Sequence, residues 1–118
     1  MKYLFVNYPK CSTCAKAKKW LEENGVDFES RHIVENKPTK EELKKWITLS
    51  GQPIKKFFNT SGILYREMNL KEKVAQNNED ELLDILSTNG MLVKRPLLIG
   101  KDKVLIGFKE KEWEEIKN

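Results

Sequence analysis

Apolar and polar positions alternate along this chain with a period that changes from region to region. Tyr3-Leu4-Phe5-Val6 is a short, β-prone apolar run and predicts a buried strand. Beyond it Cys14, Ala17 and Leu21 recur at i, i+3 and i+7, one face of a helix whose opening turn includes Cys14. Asn24-Gly25 supplies its stop, because glycine accepts the left-handed cap conformation. Val26 to Val34, with Phe28, Ile33 and Val34, predicts a second strand. Strand, helix and strand in so short a span predict a right-handed βαβ unit with parallel strands.

The middle reads as helical. Thr39-Lys40-Glu41-Glu42 has the capping-box pattern, and Leu43, Trp46, Ile47 and Ser50 form the inward stripe after it. Gly51-Gln52-Pro53 ends that helix, and Ile54 to Phe58 predicts a short turn or half-helix. Ser61-Gly62 marks a break before Leu64 to Leu70. Asn78-Glu79-Asp80-Glu81 caps a further helix with Leu82, Ile85 and Leu86 inward, and Asn89-Gly90 terminates it. Met68 and Met91 read as core fillers. At the end, Leu97-Leu98-Ile99 and Val104-Leu105-Ile106 flank Gly100-Lys101-Asp102-Lys103, a hairpin signal. Lys109 to Lys117 predicts a closing helix with Phe108, Trp113 and Ile116 inward. The expected architecture is one α/β domain over residues 1–118, a four-stranded mixed sheet (βαβ plus ββα) with a helical insertion at about 37–91.

Composition narrows the class. The 118 residues are 39% hydrophobic and 34% charged, ordinary for a globular domain with a busy surface. No apolar run approaches the roughly 18 residues of a membrane span, and the first residues lack a signal-peptide pattern. The cytoplasm is the expected compartment, with no membrane partner. A net charge of +4 invites a nucleic-acid reading. Lys and Glu alternate through most predicted helices, however, and the basic clusters Lys16-Ala17-Lys18-Lys19 and Lys55-Lys56 carry no interleaved stacking aromatics. Direct nucleic-acid binding is not expected.

The candidate chemistry lies in Tyr8-Pro9-Lys10-Cys11-Ser12-Thr13-Cys14, a Cys-x-x-Cys between predicted strand and helix. Free N–H groups and the positive end of the helix dipole favour an anion there, and the thiolate is the reactive form of cysteine. Cys11, outermost and beside Lys10, is the expected nucleophile. Cys14, one turn inside, is the expected resolving thiol. Two cysteines could instead be small core hydrophobes or half a zinc site, but the chain offers only these two and one histidine. No metal or bound cofactor is expected; glutathione or another thiol is a candidate reductant. Arg95-Pro96 is the second informative point. Proline fits the first residue of a buried strand, and its bond with Arg95 can be cis at modest cost. Arg95 near Cys11 could stabilise a thiolate or hold an oxyanion in a fork; otherwise it is an ordinary surface arginine. His32 reads as a surface or hydrogen-bonded side chain rather than a catalyst.

Taken together, Asn7-x-Pro9-x-Cys11-x-x-Cys14, the insert with Phe57-Phe58-Asn59-Thr60-Ser61-Gly62, and Lys94-Arg95-Pro96-Leu97-Leu98 resemble the arsenate reductase (ArsC) family. The likeness is greatest to its Spx/MgsR-type and arsenate-reductase-like members and covers nearly the whole chain. It implies a thioredoxin-like fold, with Cys11 the redox or nucleophilic cysteine, Arg95 the anion-binding arginine and Pro96 a cis proline facing the active cysteine. Lys10, Ser12, Thr13, Asn59 and Pro96 are then the candidate substrate-binding residues. The expected activity is thiol–disulfide exchange on a small thiol or protein disulfide, with glutaredoxin or thioredoxin as candidate partners. Alternatives are a redox-switched regulator that binds RNA polymerase and a glutathione- or glutaredoxin-dependent arsenate reductase. Those reductases hold their oxyanion with a trio of arginines; here Arg95 alone matches clearly, with Asn59 near the place of another. The Spx-type regulators carry a tail beyond the last helix, whereas this sequence ends at Asn118.

Overall fold

A computed structural model describes residues 2–76 and 78–116. Four strands, β1 (Tyr3–Asn7), β2 (Phe28–His32), β3 (Leu97–Ile99) and β4 (Val104–Ile106), form one sheet in the order β2-β1-β3-β4. β1 and β2 are parallel, joined through helix α1 (Ser12–Glu23); β3 is antiparallel to both β1 and β4. Between β2 and β3 lie α2 (Lys40–Ser50), a 3-10 turn (Ile54–Phe57), α3 (Ile63–Glu67), α4 (Leu70–Gln76), α5 (Glu79–Thr88) and a second 3-10 turn (Gly90–Leu92). After β4 comes α6 (Glu110–Trp113), tightening into a 3-10 turn at Glu114–Ile116. This mixed sheet with helices on both faces is the thioredoxin-like arrangement expected from the resemblance.

Strand alternation sorts the core into two halves. Val6, Leu97 and Ile99 join the cluster on the insertion side with Leu43, Trp46, Phe57, Leu82 and Leu86. Phe5 and Leu98, facing the other way, join Ala17, Trp20, Leu21, Trp113 and Ile116. Such a sheet, buried on both faces, explains why β1 and β3 read as continuous apolar runs. Trp113 stands edge-on to Phe5, Trp20 and Phe108 and donates from its ring nitrogen to the Gly107 carbonyl at 3.1 Å.

The helix boundaries follow local chemistry. Thr39 and Glu42 form a reciprocal capping box, with Glu42 N–H donating to Thr39 Oγ1 at 3.1 Å and Thr39 N–H to Glu42 Oε1 at 3.0 Å. Asn78 caps α5 by accepting from the Glu81 amide. Gly25, at φ +64°, follows the α1 cap as expected. Gly90 has a different reason for being glycine. It does not adopt positive φ, but a β-carbon there would lie 1.9 Å from the Ile33 carbonyl oxygen.

Other expectations are corrected. The second strand is shorter than Val26 to Val34, because the chain leaves the sheet into a turn after His32. The closing helix begins at Glu110 and tightens after one turn; Lys117 and Asn118 lie outside the described residues. Met68 is no core filler, being 45% exposed at the end of α3, and Met91 is only half-buried. Ser50 and Ile85 are likewise half-buried, while Leu83 is buried beside the predicted stripe.

Candidate functional site

The site is built where β1 delivers the chain to α1. Asn7, buried at the end of β1, donates from Nδ2 to the Phe5 carbonyl at 3.1 Å and to Ser30 Oγ at 2.8 Å, while its carbonyl accepts from Ile33 N–H at 2.8 Å. These bonds tie the end of β1 to β2. The Cys11 amide then donates to the Tyr8 carbonyl at 2.9 Å, closing the turn that aims residue 11 at the helix terminus.

Cys11 is itself the N-cap of α1, with extended backbone (φ −91°, ψ 120°). Its Sγ accepts the Cys14 amide at 3.4 Å, the position a serine or aspartate oxygen takes in an ordinary cap. No acidic residue occupies the first turn of α1, so nothing there opposes a negative charge on the sulfur. The two thiols occupy different surroundings. Cys14 is 2% exposed, whereas Cys11 is half-buried, and both are free thiols.

Their acidities diverge accordingly. Partial burial opposes ionisation of Cys11, but the thiol and amide of Cys14 and the Arg95 guanidinium outweigh it and hold the Cys11 pKa below its ordinary value. Burial pushes the Cys14 thiol up to about 12, against the opposing pull of a backbone hydrogen bond at Tyr8, and the neighbouring Cys11 adds to the rise. One sulfur is therefore made easier to ionise and its partner harder.

Arg95 reaches this corner from the opposite side of the chain. Asn59 N–H donates to the Leu92 carbonyl at 2.8 Å and Lys94 N–H to the Phe57 carbonyl at 2.7 Å, around an antiparallel bridge between Phe58 and Val93. This short ladder fixes the insert against the approach to β3. The Arg95–Pro96 peptide is cis, and the buried Pro96 carbonyl accepts from Gly107 N–H at 2.8 Å. The Arg95 guanidinium carbon lies 5.1 Å from the Tyr8 ring centroid, and that ring stands edge-on to His32 at 5.8 Å. His32 Nδ1 accepts from the amides of Val34 and Glu35, each at 3.1 Å, in keeping with a hydrogen-bonded role. Arg95 Nη1 is buried without a hydrogen-bond partner among the described residues.

A cleft of ≈ 440 Å³ opens at Cys11, walled by Thr13, Asn59, Gly62, Leu64, Met91 and Arg95 among others. Thr13 and Asn59 thus join Cys11 and Arg95 at one place, and Asn59 Nδ2 also reaches the Met91 carbonyl at 3.5 Å. Lys10 and Ser12 stand exposed beside Cys11 but line neither this cleft nor its larger neighbour. Ile63, Leu64 and Met91 are wall residues that sequence reasoning missed, and no motif marks them. Ile63 could have been suspected only as an apolar residue directly after a predicted break. Among the described residues no group of three His, Cys, Asp or Glu side chains could hold a metal ion. No helix among them is long and apolar enough to cross a membrane.

A thioredoxin-like sheet with a Cys-x-x-Cys at a helix N-terminus and an Arg-cis-Pro beside it defines a class of thiol-bearing proteins. Comparison with known families narrows the class: the ArsC family model matches residues 6–116, and the chain belongs to that family. The Bacillus subtilis protein YusI is 56% identical, over 98% of this chain and 98% of its own. The B. subtilis regulatory protein MgsR is 32% identical, over 88% of this chain and 81% of its own. The crystal structure of an ArsC family related protein from Bacteroides fragilis is 56% identical with a TM-score of 0.95, over 99% of this chain and 98% of that one.

Proposed function

We propose that this protein is a thiol–disulfide oxidoreductase in which Cys11 is the nucleophile, Cys14 the resolving cysteine and Arg95 the thiolate-stabilising residue. The Cys11 thiolate attacks one sulfur of a substrate disulfide. A Cys11–substrate mixed disulfide forms and the other substrate sulfur leaves as a thiolate. Cys14 then gives up its proton and attacks the Cys11 sulfur, releasing the second substrate thiolate. The substrate gains two electrons and the protein keeps a Cys11–Cys14 disulfide, which an external thiol or dithiol reduces. Glutathione, glutaredoxin and thioredoxin are the candidate donors by family resemblance.

The observation that carries this reading is the Cys11 Sγ at the N-cap of α1, accepting the Cys14 amide at 3.4 Å. Before any reaction the donor that favours a thiolate is already in place. Thr13 and Asn59, which line the cleft at Cys11, are assigned to substrate contact, with Lys10 and Ser12, exposed beside Cys11, touching whatever of the substrate extends beyond it; Pro96 is buried and lines neither cleft. The test is substitution of each cysteine with a disulfide substrate: Cys11→Ser abolishes exchange, while Cys14→Ser allows the first step and stalls at the mixed disulfide.

Similarity to the regulatory protein MgsR favours one second reading. In it, oxidation of Cys11 and Cys14 alters a partner surface on the insert, with RNA polymerase the partner implied by the Spx-type resemblance. Capture of polymerase that depends on oxidation state would establish it. Arsenate reduction is less well supported, since the oxyanion carries more than one negative charge and Arg95 is the single arginine lining the Cys11 cleft. Turnover of arsenate with glutathione and glutaredoxin would restore it.

A further inference from the structure

The Cys11 cleft does not end at Arg95. Thr13, Lys94 and Arg95 line it on one side and on the other line a second groove of ≈ 720 Å³, which runs past Lys55 and Lys56 to Phe108 and Lys109. The two compartments adjoin across these three shared wall residues, so a substrate longer than a single residue seated at Cys11 can reach the second groove over them. Their linings differ in chemistry. At the sulfur, Ile63, Leu64 and Met91 present an apolar wall, with Ile63 66% exposed. Along the larger groove the charged side chains are Lys55, Lys56, Lys94, Arg95 and Lys109, against one carboxylate, Glu112. Glu112 lies 3.7 Å from Lys109, which leaves Lys55, Lys56 and Lys94 without an ion-pair partner among the described residues, while Arg95 faces the Cys11 sulfur. Arg95 lines both compartments, and its Nη1 is buried and unpartnered among the described residues.

An uncompensated cationic groove concentrates anions and steers them, the more so where low-dielectric walls flank it. A small neutral thiol seated at Cys11 would use the apolar wall and leave the cations unanswered. A polypeptide fits both compartments, with an apolar side chain beside its cysteine and carboxylates further along the chain. We propose that the substrate is a protein disulfide whose reactive cysteine is flanked by an apolar residue and followed by an acidic segment that lies in the Lys55–Lys56–Lys94 groove. This inference rests on the assignment of Cys11 as nucleophile and names the class of disulfide that reaches it. The exchange step is the one already written: the Cys11–sulfur bond forms as the substrate disulfide breaks, and the leaving sulfur departs as a thiolate.

The experiment uses the reduced full-length protein and cysteine peptides activated as mixed disulfides with 2-thiopyridine, whose release is followed optically in single turnover. One peptide carries an acidic flank, one the same flank in lysine, and N-acetylcysteine amide activated in the same way is the small neutral reference. The acidic peptide is expected to react at least about tenfold faster than the basic one at low salt. That preference should collapse at high salt, as the Debye length shrinks to about 3 Å. In Lys55→Glu/Lys56→Glu the ratio of the acidic-peptide rate to the reference rate should fall about tenfold. Both lysines are exposed, and an unchanged melting temperature would show that the variant is folded. Equal rates for the acidic and basic peptides overturn the proposal while leaving the Cys11 chemistry standing. A glutathione mixed disulfide that outruns the acidic peptide also overturns it, by assigning the groove to a small anionic thiol. Continued release from all three probes in Cys11→Ser overturns the underlying chemistry, and the proposal with it.

Discussion

The amide of Cys14 donates to Cys11 Sγ at 3.4 Å, so the half-exposed sulfur caps α1 while the residue supplying the amide carries the buried one. Two thiols three residues apart are thereby made chemically unequal by where each meets the helix. The first prediction follows from that inequality. Alkylation by iodoacetamide should modify Cys11 at neutral pH, with a pH midpoint lower than that of an unperturbed cysteine thiol. Cys14, whose pKa is pushed up to about 12, should stay unmodified until the protein unfolds or the solution is strongly alkaline. Mass spectrometry of the alkylated peptides checks both.

Arg95 contributes to the lowered Cys11 pKa after burial and the Cys14 groups have had their effect. Arg95→Ala should move the alkylation midpoint of Cys11 upward and slow disulfide exchange at neutral pH by roughly two- to threefold, the smaller thiolate fraction being partly offset by a more nucleophilic thiolate. Arg95→Lys restores a positive charge without the planar fork and should recover part of that loss. A plot of exchange rate against pH separates the two effects, because a loss caused by acidity alone disappears at high pH.

Much of this corner was legible before any coordinates. The β3–β4 hairpin matches its expected residues because β3, buried throughout, and β4, part-buried at the sheet edge, are both unbroken apolar runs on either side of a turn. Cys11 and Cys14 declared themselves through the strand-to-helix boundary. The walls of the cleft did not. Met91 and Leu64 are brought to Cys11 by the ladder between Phe57–Asn59 and Leu92–Lys94, a long-range pairing with no local periodic signal. Met68 misled for the same reason, since an apolar residue at a helix end is buried only if another element covers it. Asn89-Gly90 does follow the end of α5, but close approach to Ile33, rather than a left-handed cap, requires the missing side chain at Gly90.

That close approach separates two glycines by experiment. Gly90→Ala should destabilise the fold by at least about 3 kcal/mol, since the β-carbon meets backbone rather than a movable side chain. Gly25→Ala, in open space but at φ +64°, should cost only about 1 kcal/mol. Urea unfolding of the two variants measures the difference.

The Arg31–Glu42 pair ties β2 to the start of α2, with Nη1 to Oε2 at 2.6 Å and Nη2 to Oε1 at 2.8 Å. Arg31 first, and the Thr39 amide with it, hold the Glu42 carboxyl down at about 2 against a burial cost. A carboxylate with a depressed pKa stabilises the fold above its unfolded pKa. That stability is lost as pH falls from the ordinary 4.5 through about 2. Because Glu42 is partly exposed, solvent screening reduces the contribution to about 1–2 kcal/mol. Glu42→Gln should therefore be less stable than the parent by that amount at pH 7. The gap should close near pH 2, as followed by denaturant unfolding.

The division of labour between the two sulfurs is tested most directly by intact-mass measurement after the reduced protein meets an activated peptide disulfide. Cys14→Ser should gain one peptide, mapped to Cys11, and keep it, whereas the parent should pass through that adduct and end two hydrogens lighter with residues 11 and 14 joined. A stable peptide adduct on Cys14 of the parent, or equal labelling of Cys11→Ser and Cys14→Ser, would contradict it.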